Sequence, residues 1–145
     1  MALTTTQTTL FTRWKAQWDT LRPNVPVAYP NVEFDPDGTS YDPDTHQGWV
    51  RIGLSMGESY AAATGGTKKR YRNPGVLWVQ VFTELNQGNK LALQIADDVA
   101  TALRGVTVSG VVLLATSINE VGRSGPWYQV NANTRFRYDD LVTVS

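Results

Sequence analysis

The stretch Val76-Leu-Trp-Val-Gln-Val-Phe-Thr83 decides the fold class, because it is a continuous apolar run of β-branched and aromatic residues. Such a run is typical of a central strand that is buried on both faces. Two alternating stretches, Gly48–Gly57 and Trp127–Tyr138, predict strands with one apolar and one polar face. Val111–Ile118 predicts a further strand, and the prolines of Val25–Tyr29 and its surroundings favour a short edge strand there. Turn-rich connections between these strands indicate antiparallel pairing.

Two amphipathic helices accompany the strands. A capping box of Thr4 and Gln7 is expected to begin the first helix, and Pro23 to end it. The second helix is predicted over Gln87–Arg104, with Gly105 as its C-terminal cap. The two apolar stripes are Leu10, Phe11, Trp14, Trp18 and Leu21, and Ala92, Ile95, Ala96, Val99 and Leu103. Residues 1–145 are therefore expected to form one α+β domain, a single, mostly antiparallel β-sheet of about four to five strands with two α-helices packed on one face.

Composition restricts the possible functions. Thirteen basic and thirteen acidic residues give no net charge, which selects neither nucleic acid nor an anionic membrane as a partner. The absence of cysteine excludes disulfides and thiolate chemistry. No stretch approaches the roughly 20 apolar residues of a membrane helix, and no leader sequence is predicted at the start of the chain. His46 is the only histidine and has no nucleophile motif near it, so we predict no enzyme activity, no catalytic residue and no cofactor.

The segment Asp35–Asp44 contains four aspartates among prolines and a glycine. A calcium-binding loop requires a different spacing, with a glutamate six positions after the glycine. Turn formation explains these residue types better than metal binding does. The segment is therefore predicted to be a surface loop, and no metal site is predicted.

The segment from Glu58 to Pro74 lacks periodicity and is predicted to be a long loop that becomes ordered on docking. Its basic run is the candidate partner-binding site, which consists of Lys68, Lys69, Arg70, Tyr71 and Arg72. These residues suit three roles: contact with phosphates and bases, electrostatic docking to a protein, or a solvated loop tip.

Several stretches together resemble the lambda-like tail terminator family of long-tailed bacteriophages. They are Val27-Ala-Tyr-Pro-Asn31 with Phe34, Gly48-Trp-Val-Arg-Ile52 leading to Gly57-Glu58, Gly75–Thr83, the helix Ala92–Leu103, and Trp127-Tyr-Gln-Val-Asn131 with Phe136-Arg-Tyr-Asp139. The resemblance covers nearly the whole chain. It implies a structural virion protein that forms a homohexameric ring at the head–tail junction and is assembled in the host cytoplasm.

The same resemblance implies the partners. They are further copies of this chain, the major tail tube protein and a head completion or connector protein. DNA would pass through the ring without specific binding, and no membrane is involved. Two alternatives stay open at this point: a head–tail connector or neck protein of the same virion, and a nucleic-acid-binding module that uses the basic residues 68–72.

Overall fold

The structure, a computed structural model, describes residues 2–65 and 68–143. It contains two α-helices and seven β-strands in these residues. Their bounds are α1 Leu3–Leu21, β1 Val27–Ala28, β2 Trp49–Met56, β3 Tyr60–Gly65, β4 Lys68–Glu84, α2 Lys90–Leu103, β5 Thr107–Val108, β6 Val111–Ser124 and β7 Trp127–Thr143.

All seven strands belong to one curled, mixed sheet with the shape of a half-barrel. The strand order is β1-β2-β4-β7-β6-β5, and β3 lies beside the first part of β4. Strand β1 is parallel to β2, whereas the other pairs are antiparallel. The prediction of four to five mostly antiparallel strands was wrong, although the chain is α+β overall. The sequence pattern missed β3, which has six residues but no apolar alternation, and β5, which has only two residues.

Strand β4 is the centre of the sheet, as its apolar run predicted. It pairs with β2 from Gly75 to Phe82 and with β7 along its entire length. Leu77, Val79 and Val81 are fully buried, whereas the residues between them are only half-buried. The expectation of burial on both faces was therefore wrong for the middle of this strand.

The two helices and one face of the sheet form the main core. Every residue of the predicted stripe of α2 is fully buried. In α1, the side chains of Leu10, Trp14 and Trp18 are exposed by no more than 1%. These side chains join alternate residues of β4 and β7, among them Val79 and Ala132. Burial of one apolar stripe against a sheet is the main source of helix stability in a domain of this size.

The helix ends follow the sequence in part. Helix α1 ends at Leu21, before Pro23, and Gly105 after α2 has a φ of 71°, as a C-terminal cap requires. The predicted capping box was wrong, because α1 already begins at Leu3 and its N-cap, Ala2, has no side-chain hydrogen bond. Threonine hydroxyls in α1 instead donate to carbonyls four residues earlier.

A second cluster covers one end of the opposite sheet face. The rings of Trp49 and Phe82 stack with their centroids 4.2 Å apart, and Tyr41 packs edge-on against Trp127 at 5.0 Å. Tyr41 belongs to the aspartate-rich segment, which is a surface loop as predicted. Within it, the Asp35 and Asp42 carboxylates accept N–H groups two residues ahead, at 3.2 and 3.0 Å.

Two negative findings apply to the part of the chain that the structure describes. No group of three or more histidine, cysteine, aspartate or glutamate side chains in residues 2–65 and 68–143 is placed to hold a metal ion. Neither described helix has the length and apolar character needed to cross a membrane.

Candidate docking surface

The predicted loop Glu58–Pro74 is instead a β-hairpin extension of the sheet. Strand β3 pairs with the first residues of β4, and these pair in turn with the end of β7. We call this three-stranded extension, residues 60–65, 68–73 and 139–143, the basic arm. Gly66 and Thr67, which connect β3 to β4, lie outside the described residues. The expectation of a long loop was wrong, because residues 60–65 pair with the beginning of β4 and residues 68–73 pair in turn with the end of β7, although neither segment has an apolar pattern of its own.

The strand geometry of the basic arm divides the five candidate residues between two faces. Successive side chains of a strand point to opposite sides, so Lys68, Arg70 and Arg72 lie on one face, and Lys69 and Tyr71 lie on the other. Lys68 and Arg70 are exposed, whereas the other three are half-buried. The structure therefore does not bring the five side chains together as a single patch.

Arg72 is held by Asp139, its cross-strand neighbour on β7. Its guanidinium donates from Nε to Oδ1 at 3.1 Å and from a terminal nitrogen to Oδ2 at 3.3 Å. This two-point contact suits the planar guanidinium. The hydrogen bond to Arg72 lowers the pKa of Asp139 below 3.8, and the charges of Arg72, Arg70 and Arg137 lower it further. The same bond raises the pKa of Arg72.

Arg135 and Arg137 lie on the same sheet face as Arg70 and Arg72. The register places Arg137 opposite Pro74, and Arg135 opposite Val76. Arg72, Arg135 and Arg137 line a surface groove of about 560 Å³, which Tyr60 and Met56 also line. A neighbouring groove of about 340 Å³ is lined by Arg70, Arg72 and Arg137 together with Asp139 and Asp140.

These four arginines define the candidate docking surface, a mostly basic sheet face with an acidic border. Guanidinium groups of this kind are suited to charge-assisted hydrogen bonds with anionic groups. Arginine is too weak an acid to serve as a general base, so the arrangement fits binding rather than catalysis. Within the described residues, the surface has no histidine beside it, since His46 accepts the Asp42 N–H in the distant loop at 2.9 Å.

Comparison with known proteins assigns the chain to a family. The model of the phage tail terminator protein family matches residues 8–135. The chain belongs to the phage tail terminator family. The resemblance seen in the sequence is thereby confirmed, and so is a role as a structural component of a bacteriophage tail. The family is one of structural proteins rather than enzymes.

A known structure has a similar fold. One solved structure superposes on this tail terminator with a TM-score of 0.68 at 17% sequence identity, over 95% of this chain and 96% of the other. At that identity the similarity concerns the fold alone. A comparison with curated proteins gives no match.

The sequence identified all four arginines of the candidate docking surface but not that they lie together. The density of basic residues identified positions 68–72, and the alternation of Trp127–Tyr138 placed Arg135 and Arg137 on the polar face of their strand. The pairing of these two groups was missed, because it depends on a register between residues more than 60 positions apart. The contribution of Asp139 was missed for the same reason.

Proposed function

We propose that this chain caps the head-proximal end of the tail tube as a homohexameric ring, stops tail polymerisation and provides the surface for joining the head. The observation that carries the proposal is the family match over residues 8–135. Among the described residues, no group of three or more histidine, cysteine, aspartate and glutamate side chains is placed to hold a metal ion.

A closed ring requires a heterologous interface, in which two different surface patches of the same chain meet around the axis. The hexameric number rests on the family resemblance. Light scattering and electron microscopy of the purified protein test it, and we expect the mass and shape of a closed ring. A monomer that persists at high concentration, also in the presence of isolated tail tubes, would contradict the proposal.

The basic arm is proposed to dock on the tail tube. Lys68, Lys69 and Arg70 have no salt bridge within the described residues, whereas Arg72 is bound to Asp139. Basic side chains without a salt bridge among the described residues are available to an acidic partner. We therefore expect that changing these three residues to Ser leaves the ring intact and weakens binding to the tube, and that the wild-type interaction weakens at high salt.

A control with matched charge separates docking from net charge. Lys15, Lys90 and Arg104 are exposed and lie outside the basic arm. Changing them to Ser removes the same number of positive charges, and we expect tube capping to persist. Equal capping by both triple variants would exclude the basic arm from the docking surface.

The head–tail connector and the nucleic-acid-binding module are the alternatives. Cross-linking within assembled virions distinguishes the first, because a connector would be linked to portal-side proteins and not to the tube protein. A gel shift of free DNA distinguishes the second. We expect only weak, salt-sensitive binding without sequence preference, since DNA is proposed to pass through the ring without specific binding.

A further inference from the structure

We propose that the subunits of the ring are joined by β-sheet pairing, in which the outer edge of β6 in one copy binds the outer edge of β3 in the next. This inference rests on the ring of the proposed function and specifies its interface. The two edges are the surfaces through which one sheet would continue into the next subunit.

The outer edge of β6 is largely uncovered. Strand β5 pairs only with Val111 and Val112, and Gly105 and Val106 contact the next two residues of β6 through backbone hydrogen bonds. From Ala115 onwards, no strand of the described residues pairs with this edge. The pairing of β6 with β7 is regular between two register shifts, from Thr116 to Glu120, so this segment offers a straight row of backbone donors and acceptors.

From Val111 to Asn119 this edge lacks the usual protection against aggregation, whereas Glu120 and Arg123 bring charges to its last residues. Monomeric proteins protect exposed edges with lysine, proline or inward-pointing charges. No charged residue and no proline occurs from Val111 to Asn119. Leu114, Ile118 and Val121 are exposed by 41%, 39% and 50% respectively. An edge of this kind is expected to be covered in the functional assembly.

Strand β3 has matching properties. It carries no charge from Tyr60 to Gly65, and within the described residues it pairs only with β4. Tyr60 is 51% exposed, and the three alanines that follow are also exposed. Small side chains allow a second strand to approach the backbone closely, and Tyr60 supplies apolar area at one end.

The topology makes these two edges compatible. β3 lies on one side of the β4–β7 pair and β6 lies on the other, so the edges face opposite directions. All pairs between them are antiparallel, so that β4 and β6 run one way and β3 and β7 run the other. A β6 strand beside the β3 of the next copy therefore continues the antiparallel alternation without a break.

This contact is heterologous, as a closed ring requires. Because the sheet is curled, successive contacts of this kind would follow a curve, which favours a closed ring over a straight filament. The pairing of β6 with β7 begins at Arg137 of β7. Strand β3 pairs with residues of β4 that lie opposite 139–143 of β7, so β3 lies beyond the end of the sheet at which β6 begins. The pairing is therefore staggered, as it is in closed sheets with tilted strands. A competing contact, β6 with β6 in a two-fold dimer, would not produce a ring.

Cysteine cross-linking tests the pairing without interference from native thiols, because the natural chain has no cysteine. We would combine Ala62→Cys with Ser117→Cys, Ile118→Cys or Asn119→Cys, three successive positions on β6 that cover both faces of the edge. We expect at least one combination to give a ladder of disulfide-linked oligomers up to the closed ring. The control pair, Ala62→Cys with Thr12→Cys on α1, should give none.

Charge insertion tests the same contact independently. Ile118→Lys places a charge at the edge, whereas Val32→Lys changes a residue that is 62% exposed and belongs to neither β3 nor β6. We expect Ile118→Lys to lose the ring at concentrations at which wild type and Val32→Lys retain it. Circular dichroism must show that both variants are folded.

The outcomes separate this inference from the proposed function. A wild-type ring that survives Ile118→Lys and gives no ladder would overturn the edge pairing and leave the ring standing. Dimers from Ser117→Cys alone, with no ladder in any combination, would also overturn it in favour of the two-fold contact. If the wild type forms no ring with or without tail tubes, both the proposed ring and the proposed β6–β3 contact are refuted.

Discussion

The indole of Trp78 on β4 lies directly over Gly53 on β2. The two residues are cross-strand partners on the sheet face that the helices do not cover. A methyl group built on Gly53 would overlap the six-membered ring of Trp78. Glycine is thus required here to make room for a neighbouring side chain and not for an unusual backbone angle.

Replacing Gly53 by alanine is expected to lower the free energy of unfolding by about 1–3 kcal/mol, because the indole must leave its position. Urea denaturation measures this loss. In a Trp78→Ala background the same change should cost less than about 0.5 kcal/mol, since the overlap has been removed. Equal costs in both backgrounds would mean that the indole is not the obstacle.

Asp98 connects α2 to the end of α1 by accepting a hydrogen bond from Nε of Arg22. Both side chains are mostly buried, with 30% and 20% exposure. Asp98→Asn is expected to destabilise the fold by about 1 kcal/mol, as for other charge-assisted contacts near the surface. Asp97 is the matched control because it is exposed on the same helix. A melting temperature that falls equally for Asp97→Asn would indicate a general effect of charge on α2.

The hydroxyl of Tyr41 accepts the N–H of Gly48 at 3.0 Å, where Gly48 is buried at the start of β2. Tyr41→Phe leaves this N–H without its acceptor and should cost about 1–3 kcal/mol in unfolding experiments. Tyr128→Phe is a suitable comparison, because its hydroxyl donates to Glu120 at 3.0 Å in a solvent-exposed setting. We expect a much smaller loss of stability for that variant than for Tyr41→Phe.

The aspartate-rich loop is expected to depend on turn geometry rather than on charge. Replacement of Asp35, Asp37, Asp42 and Asp44 by Asn keeps the carbonyl oxygens that accept the backbone N–H groups at Asp37 and Asp44. The melting temperature should therefore change little, with and without a chelator. A metal that co-purifies in stoichiometric amount with the wild type, and is lost together with stability in the variant, would refute this expectation.

Acid is expected to loosen the basic arm through Asp139. The pKa of this carboxyl is lowered in the folded protein, first by its hydrogen bond with Arg72, so its contribution to stability is present above its ordinary value of 3.8. That contribution is lost as the pH falls through the lower pKa of the folded state. Titration of the side chain by NMR should show a higher pKa in Arg72→Gln and an unchanged one in Lys15→Gln. Identical titrations in the wild type and Arg72→Gln would contradict the role of Arg72.

The parts of the fold that the sequence determined are those with strong local periods. The stripe from Ala92 to Leu103 repeats at helical spacing over three turns, and all five of its predicted core positions are buried. The run Val76–Thr83 identified the central strand, and the turn residues of 35–44 identified a surface loop. In each case residues within one short segment carry the whole signal.

Only the tertiary structure decided the basic arm and its charge pattern. Residues 60–65 and 68–73 have no apolar alternation; the first pair with the beginning of β4, and the second pair in turn with the end of β7, some 70 positions away. The same register brings Arg135 and Arg137 beside Arg72, and places Asp139 where it neutralises one of these charges. Sheet pairing joins distant segments through hydrogen bonds of the backbone, which is chemically the same at nearly every residue, so the local sequence cannot specify the partner.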